Sequence, residues 1–493
     1  MANTFFGLNI GVSGLYAANA GVDVTANNVA NENTKGYSRQ VISQSATEPI
    51  RVFQRYGMIG SGVEVTSIDQ MRDKYYDAKY WDNNSKLGEE SAKYNYMIQI
   101  EDYFAETDET GFSKEYSNIF NGLEDLVKTP EGNTERVTFL NYCESFLEYM
   151  QELKTNLIKS QEDLNSEVAS NVDHINSLGA EIAALNKEIN VVELTGAKAN
   201  ELRDKRALLL DELSSICEIS TKEVLYDNGK SDFTVNIGDK TLVSTYDYYT
   251  LEVVSREDRA DKHDAVGLYD IQWSYGEKFD PVGSNIDGAL RSLLIIRDGN
   301  NYVPEEGNDI SVPIDYKGVP YYIDEINEFL TKFTGAFNEI HSKGMNMEGE
   351  STKDIPIFLK DDNDVFTVNQ DLMANPSWMS TTVNVHDGAA QYDLLSEMIK
   401  VKDSKEFDGG SPEEFIQSLI TEIAIDTSKA KTLNENYKNI IQTITNQREA
   451  VMGVDADEEA MNLVKYQEAY DLSAKVIQVM SEMYDKLINE TGV

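Results

Sequence analysis

The two ends of the chain carry matching helical patterns, which constrain the fold more than any other feature. Near the start, steps of four and three connect Leu8, Val12, Leu15, Asn19, Val22, Ala26 and Val29. Near the end, the same steps connect Leu463, Gln467, Tyr470, Ala474, Ile477, Ser481, Tyr484 and Ile488. Such spacing places side chains on one stripe of a helix, as in a coiled coil. Because a lone amphipathic helix cannot bury its stripe, we expect the two ends to pair with each other, or else with neighbouring molecules.

The charge balance limits the partners that the chain can have. Its 43 basic and 86 acidic residues give a net charge of −43, which argues against nucleic acid and anionic membrane surfaces because both would repel it. Residues 1–22 are uncharged, but four glycines and several polar residues interrupt them, so a membrane span is not expected. No basic residue precedes this stretch, as a cleaved signal peptide would require.

The interior predicts a mainly α fold with one β-rich insertion. The four–three rhythm runs from Leu157 to Val192, a helix about 50 Å long at 1.5 Å per residue. Residues 217–282 are instead rich in Val, Thr, Ile and Tyr, a composition typical of short strands. We therefore predict a terminal coiled-coil assembly domain (1–36 with 455–493), a helical-bundle rod domain (37–216 with 283–454) and an inserted β-rich outer domain (217–282). An insertion of this kind should be dispensable for folding of the rod.

A search for catalytic and metal-binding motifs gives no candidate. The histidines His174, His263, His341 and His386 are scattered, without an HExxH motif or a Cys/His pair at ligand spacing. Cys143 and Cys217 are far apart in helical patterns, which favours buried thiols over a nucleophile or a disulfide. The acidic runs at 361–364 and 455–459 lack the glycine and glutamate of an EF-hand loop. We therefore expect no enzymatic activity, no cofactor and no metal.

The two termini resemble the signatures of bacterial flagellar axial proteins. At the start these are Ser13-Gly14-Leu15, Asn27-Asn28-Val29-Ala30-Asn31 and the run from Asn33 to Gln40. At the end they are Asp457-Glu458-Glu459, Asn462 to Gln467 and Ala474-Lys475-Val476-Ile477. From the seams and these signatures we expect an assembly interface formed by Leu8, Val12, Leu15, Val22, Asn27, Asn28, Val29, Asn31, Gly36, Tyr37, Leu463, Tyr466, Tyr470, Ala474, Ile477, Tyr484 and Ile488.

Within that group, the chain is similar to the family of hook-associated protein 1. The resemblance rests on Tyr37-Ser38-Arg39-Gln40, on Arg72-Asp73 with Asp77, and on the run from Leu202 to Arg206 followed by Leu209 and Asp211. It covers most of the chain and is weakest over 217–282 and 344–410. Residues 452–457 depart from the family's usual sequence, and the middle of the chain is short for the family.

The resemblance implies a structural subunit of the extracellular junction between hook and filament, exported through the flagellar type III apparatus. The implied partners are further copies of the chain in a ring or helical assembly, the hook protein, a second junction protein with filament components, and an export chaperone at the C-terminal helices. Three alternatives remain. A hook or rod subunit would lack the helical stretch 135–216, a flagellin would lack the run Asn33 to Tyr37, and an enzyme would carry its site on the inserted domain.

Overall fold

The computed structural model describes residues 6–51, 57–105, 111–226, 230–302, 314–388, 391–405, 407 and 410–490. Within them the helices are α1 (Phe6–Ala30), α2 (Lys74–Tyr103), α3 (Phe112–Lys128), α4 (Asn133–Glu193), α5 (Asn200–Ile216), α6 (Ala289–Asp298), α7 (Val319–His341), α8 (Gln370–Ala374), α9 (Asp393–Lys400), α10 (Pro412–Met452) and α11 (Ala456–Asn489). Short 3₁₀ helices span Pro376–Trp378, Val385–Asp387 and Val401–Asp403. The predicted mainly α fold class is confirmed.

The strands form small antiparallel sheets. They are β1 (Gln40–Ala46), β2 (Ile50–Arg51), β3 (Met58–Ile59), β4 (Val63–Gln70), β5 (Ile219–Leu225), β6 (Ser231–Ile237), β7 (Lys240–Ser244), β8 (Asp247–Tyr248), β9 (Leu251–Ser255), β10 (Tyr269–Trp273), β11 (Phe358–Lys360) and β12 (Phe366–Val368). The pairs are β1–β4, β2–β3, β9–β10 and β11–β12, and one four-stranded sheet has the order β5-β6-β7-β8.

The chain divides into two compact units. The first, unit 1, contains residues 1–87, 174–250 and 437–493, of which 1–5, 52–56, 227–229 and 491–493 lie outside the described residues. In it α1 contacts both α11 and the β1–β4 pair, whose register places Gln40 opposite Gln70. In the four-stranded sheet, the alternate residues Phe233, Val235 and Ile237 of β6 are buried, as the two-residue period of a strand requires.

The second, unit 2, contains residues 88–173 and 251–436 and has an aromatic core. Phe329 and Phe333 stand one helical turn apart on α7, with ring centroids 5.6 Å apart. Phe112 of α3 packs edge-on against Phe329, and Phe146 of α4 lies 5.5 Å from Phe333. Because α7 has apolar residues at this helical spacing, one of its faces is buried along its length.

The two compact units divide the chain at other positions than the predicted domains, whose boundaries stay a prediction. Within residues 217–282, the β5–β8 sheet belongs to unit 1 and the β9–β10 pair to unit 2. Val235 and Trp273, both fully buried, contribute to the cores of different units. The terminal helices share unit 1 with α5 and the four-stranded sheet. Composition predicts strands but not the sheets that they join, because strand pairing is a non-local property.

Among the described residues, the helices are either too short or too polar to cross a lipid bilayer.

Candidate assembly interface at the paired chain ends

The terminal helices α1 and α11 pack together along a face of small residues on α1. A Cβ atom at Gly11 would lie 2.9 Å from Cγ1 of Ile477, and one at Gly14 would lie 2.8 Å from Oγ of Ser473. The side chains of α11 can approach the α1 backbone this closely only because α1 has no side chains at these positions. The complete face, again with steps of four and three, is Gly7, Gly11, Gly14, Ala18, Gly21, Thr25 and Asn28.

The apolar stripe predicted on α1 lies beside this face, whereas Ile477 of the stripe predicted on α11 packs directly against it. On α1, the half-buried members are Leu8, Val12, Leu15 and Val22, while Val29 is exposed. Of the predicted interface residues on α11, Tyr466, Ala474, Ile477 and Tyr484 are half-buried, while Leu463, Tyr470 and Ile488 are exposed. Along α1, each residue of the predicted stripe directly follows a residue of the observed contact face.

Asn28 connects three segments of chain through its side-chain amide, which is 1% exposed. Its Nδ2 donates to the carbonyl of Gln40 at 2.9 Å and to Oε2 of Glu459 at 3.1 Å. Its Oδ1 accepts from the N–H of Gln40 at 2.9 Å and from the hydroxyl of Tyr37 at 2.8 Å. Every donor and lone pair of this amide is therefore used, and α1 is joined to β1 and to α11 at one point.

The loop after α1 is fixed by the motif residues. The Tyr37 hydroxyl accepts from Nδ2 of Asn27 at 3.2 Å, and Asn31 donates to the carbonyl of Asn27 at 2.9 Å. Burial, followed by the charges of nearby carboxylates including Glu201, raises the pKa of Tyr37 to about 12. The hydroxyl therefore remains protonated at neutral pH and can donate to Asn28.

Gly36 has a backbone conformation that L side chains rarely adopt, with φ of 79°. A Cβ atom there would also lie 2.5 Å from Cγ of Leu208 on α5. Both the positive φ and the close contact require glycine at this position.

The start of α11 is held by ion pairs with the segment before β1. Nε of Arg39 lies 2.7 Å from Oε1 of Glu459, and its Nη2 lies 2.9 Å from Oε1 of Glu458. The backbone N–H of Arg39 donates to the carbonyl of Met452 at 2.8 Å. Asp455 caps α11 by accepting from the N–H groups of residues 457 and 458, which satisfies donors that would otherwise lack a partner. The hydrogen bond to Glu458 makes the largest contribution to raising the pKa of Arg39.

A buried charge network continues from the same segment. Asp204 on α5 accepts from the Ser38 N–H at 2.9 Å and from its hydroxyl at 2.6 Å. Arg72 lies 3.3 Å from Asp204 and makes a two-point contact with Asp77 on α2, at 2.7 and 3.0 Å. Arg448 on α10 pairs with the same Asp77 at 2.9 Å. Burial raises the pKa of Asp204, whereas for Arg72 the pairing with Asp77 outweighs burial and raises the pKa.

The sequence analysis did not identify the acidic residues of this site. Glu459 and Asp204 belong to motifs that were recognised, yet their side chains were not assigned to the interface. The available signal was the presence of Arg39 and Arg72 in those same motifs, since buried arginines need carboxylate partners.

Comparison with known proteins places the chain in a family. Residues 97–358, just over half of the chain, match the family described as "Flagellar hook-associated protein FlgK helical domain". Residues 8–37 match "Flagella basal body rod protein", and residues 445–490 match "Flagellar basal body rod FlgEFG protein C-terminal". The two shorter matches fall on the terminal signatures and on the helices that pair in the structure.

Relatives that align over nearly the whole chain share the same name. The chain is 27% identical to "Flagellar hook-associated protein 1" of Bacillus subtilis, covering 100% of this chain and 99% of that protein. It is 21% identical to the protein of that name from Salmonella typhimurium, covering 98% and 99%. A solved structure, "The structure of the flagellar hook junction protein FlgK from Burkholderia pseudomallei", is similar with a TM-score of 0.44 and 18% identity over 58% of this chain and 47% of that one. The resemblance inferred from the sequence is confirmed: this chain belongs to the flagellar hook-associated protein FlgK family.

Proposed function

We propose that this chain is a structural subunit of the bacterial flagellum that forms part of the junction between hook and filament. The observation that carries the proposal is the joined pair of chain ends, α1 with α11, whose sequences match those of flagellar rod proteins. Asn28 and Glu459 fix this pairing from opposite ends of the sequence.

An apolar stripe on α11 supports assembly with other molecules. Leu472, Val479 and Met483 recur at steps of seven and four and are 54–64% exposed. Since α1 contacts α11 through residues such as Ile477 and Ser473, this stripe is a second face of the helix. A continuous exposed apolar face on a soluble subunit marks a contact site. Its proposed occupants are helices of further copies, the hook protein, and the second junction protein with filament components.

The same stripe gives a physical reason for a chaperone. Before assembly it would expose apolar side chains to solvent, which favours aggregation. An export chaperone bound to α11 would cover it until the subunit leaves the cell. We place the working subunit outside the cell, in the flagellum, because the family is flagellar.

We further infer a role without catalysis. The relatives are named for a place in the flagellum rather than for a reaction. Of the histidines, His341 is fully buried against Ser380, whose N–H donates to its Nε2 at 3.0 Å. Burial lowers the pKa of His341 to about 4, so it is neutral at pH 7 and serves packing.

The test is immunogold electron microscopy of intact flagella, combined with deletion of the gene in the native organism. Label confined to the boundary between hook and filament, and deletion cells with hooks but without filaments, are expected. Label along the whole hook or filament would contradict the junction and favour another axial protein. Deletion cells with normal filaments would contradict any structural role there.

A further inference from the structure

A side-chain cluster in unit 2 places an imidazole nitrogen beside two carboxylates. Asp261 and His263 lie in the segment that joins β9 to β10, and Asp324 lies on α7. Nδ1 of His263 is 3.2 Å from Oδ1 of Asp261 and 3.0 Å from Oδ1 of Asp324. All three atoms lie within 4.8 Å of one another, so a single ion between them could reach each at about 2.0–2.2 Å after small side-chain adjustments.

The other imidazole nitrogen is held by a buried carboxylate. Nε2 of His263 lies 2.7 Å from Oδ2 of Asp364, whose side chain is 5% exposed. Nδ2 of Asn327 also lies 3.2 Å from Nε2, but the shorter contact with a charged acceptor keeps the proton on Nε2. Metal-binding histidines almost always donate their second N–H in this way, which fixes the ring and directs the other nitrogen's electron pair towards the ion.

Three lysines around Asp364, the carboxylate that orients the ring, distinguish its role from that of the proposed ligands Asp261 and Asp324. Lys262 pairs with Oδ2 of Asp364 and Lys360 with its Oδ1, while Lys154 donates to its backbone carbonyl at 2.7 Å. These cations balance the negative charge of Asp364, so its expected role is to orient the imidazole ring rather than to bind the ion. Asp324, by contrast, has a side chain that is 48% exposed, so water can reach the remaining coordination positions.

We propose that Asp261, His263 and Asp324 bind one divalent transition-metal ion of the zinc class, which joins the β9–β10 segment to α7 as a structural site. A mixed set of one imidazole and two carboxylates favours such an ion over Mg²⁺ and Ca²⁺, which prefer oxygen ligands alone. The ion would take the place of the proton on Nδ1. The proposal is independent of the junction function, and it contradicts the sequence-based expectation of no metal. Sequence spacing could not reveal the site because 61 residues separate His263 from Asp324.

The test uses the metal-stripped full-length chain and Zn²⁺ as the probe, in physiological salt with excess Mg²⁺. The Mg²⁺ occupies non-specific sites on a chain of net charge −43. Calorimetry should show one Zn²⁺ per chain, and the melting temperature should rise with Zn²⁺ because the folded state binds it. X-ray absorption should show a nitrogen and oxygen shell that contains an imidazole. Zn²⁺ binding that excess Mg²⁺ abolishes would overturn the proposal.

Variants identify the ligands. Asp324→Asn and His263→Gln should each weaken Zn²⁺ affinity by at least about 10-fold, and the orienting variant Asp364→Asn by about 10- to 100-fold. Glu328→Gln, an exposed change one turn further along α7, and His386→Gln are the matched controls and should bind as the original chain does. Because Asp324 is half-exposed, Asp324→Asn should fold normally. It therefore tests the assignment even if His263→Gln does not fold. Unchanged Zn²⁺ affinity in Asp324→Asn would overturn the assignment.

Discussion

Asn28 Nδ2 donates a hydrogen bond to Oε2 of Glu459 at 3.1 Å, although 431 residues separate the two side chains. The donor lies near the end of α1 and the acceptor in the first turn of α11, so one contact sets how the two helices are aligned. Glu459 is itself 2% exposed and also pairs with Arg39. This buried polar cluster therefore fixes the register between the two chain ends.

Asn28→Asp should destabilise the folded chain by about 3 kcal/mol or more. It replaces the donating Nδ2 with a carboxylate oxygen that faces Oε2 of Glu459 and the carbonyl of Gln40, and a buried unpaired charge is costly. Urea unfolding measures the loss, and Glu459→Gln in the same chain should restore part of it. Asn33→Asp, on the exposed part of the following loop, is the control and should change stability little. Equal effects of the two Asp variants would contradict the role of this hydrogen bond.

Gly21→Val should separate the paired helices. A Cβ atom at this position would meet the ring of Tyr466, with its Cγ only 2.5 Å away, and overpacking of this kind costs about 1–3 kcal/mol. Limited trypsin digestion should then cut more rapidly at Lys465 and Lys475 on α11. Ala26→Val, on the exposed side of α1, adds a similar side chain away from the contact. Digestion that is equally fast in both variants would show that the small-residue face is unimportant.

The sequence predicted that α1 and α11 would pair, but it placed the contact one residue away on α1. Apolar periodicity identifies where large side chains such as Val12 and Val22 recur. The α1–α11 contact instead uses the smallest residues, Gly11 and Gly21, because they let side chains of α11 approach the α1 backbone. The hydrophobic pattern alone therefore identifies the partner of such a helix, but not which side of the helix faces that partner.

The polar part of the site was predicted only through family resemblance. Asn27, Asn28 and Tyr37 stand in a recognisable motif, yet no periodicity shows that they bond to one another. Asp204 contacts Ser38 across 166 residues of sequence. Long-range pairs of this kind form only in the completed fold, so they cannot be read from the pattern of a single sequence.

Replacing residues 217–282 with a short Gly-Ser linker should abolish cooperative unfolding, contrary to the expectation for a separate insertion. The deletion removes the buried Val235 from unit 1 and the buried Trp273 from unit 2. It also removes Ser231, whose N–H donates to Oδ1 of Asn190 on α4 at 2.7 Å. Thermal melts followed by circular dichroism measure the outcome. A linker of the same length inserted at Gly196, between α4 and α5, should keep the cooperative transition, since a Cβ there meets nothing within 4 Å.

Acid should destabilise unit 1 partly through Glu223. Burial raises the pKa of this carboxyl, but the charge of Arg203 and the contacts of Lys74 and Arg206 outweigh burial and lower the pKa from 4.5 to about 2. Because the folded pKa lies below the unfolded one, the stabilisation is complete above pH 4.5 and is lost as the pH falls towards 2. Glu223→Gln should therefore cost about 2 kcal/mol at pH 7, allowing for solvent screening.

The pH dependence distinguishes this charge effect from a loss of packing. The difference in unfolding free energy between Glu223→Gln and the original chain should shrink steadily below pH 4.5. Glu252→Gln, an exposed change on β9, should show little difference at any pH. A Glu223→Gln penalty that is constant with pH would mean that the carboxylate's charge contributes nothing.

Two aspartate substitutions on α11 should separate pairing within the subunit from assembly between subunits. Ile477 lies against Gly11 of α1, whereas Val479 is 54% exposed on the second stripe. Ile477→Asp should weaken α1–α11 pairing as well as assembly, because the carboxylate would face a packed contact. Val479→Asp should leave unfolding free energy and helical content unchanged, yet weaken chaperone binding and yield cells with hooks but no filaments. Gln478→Asp, an exposed polar position between them, should assemble normally. Normal filaments from Val479→Asp would show that the second stripe is not an assembly surface, and an unstable Val479→Asp monomer would show that it packs within the subunit.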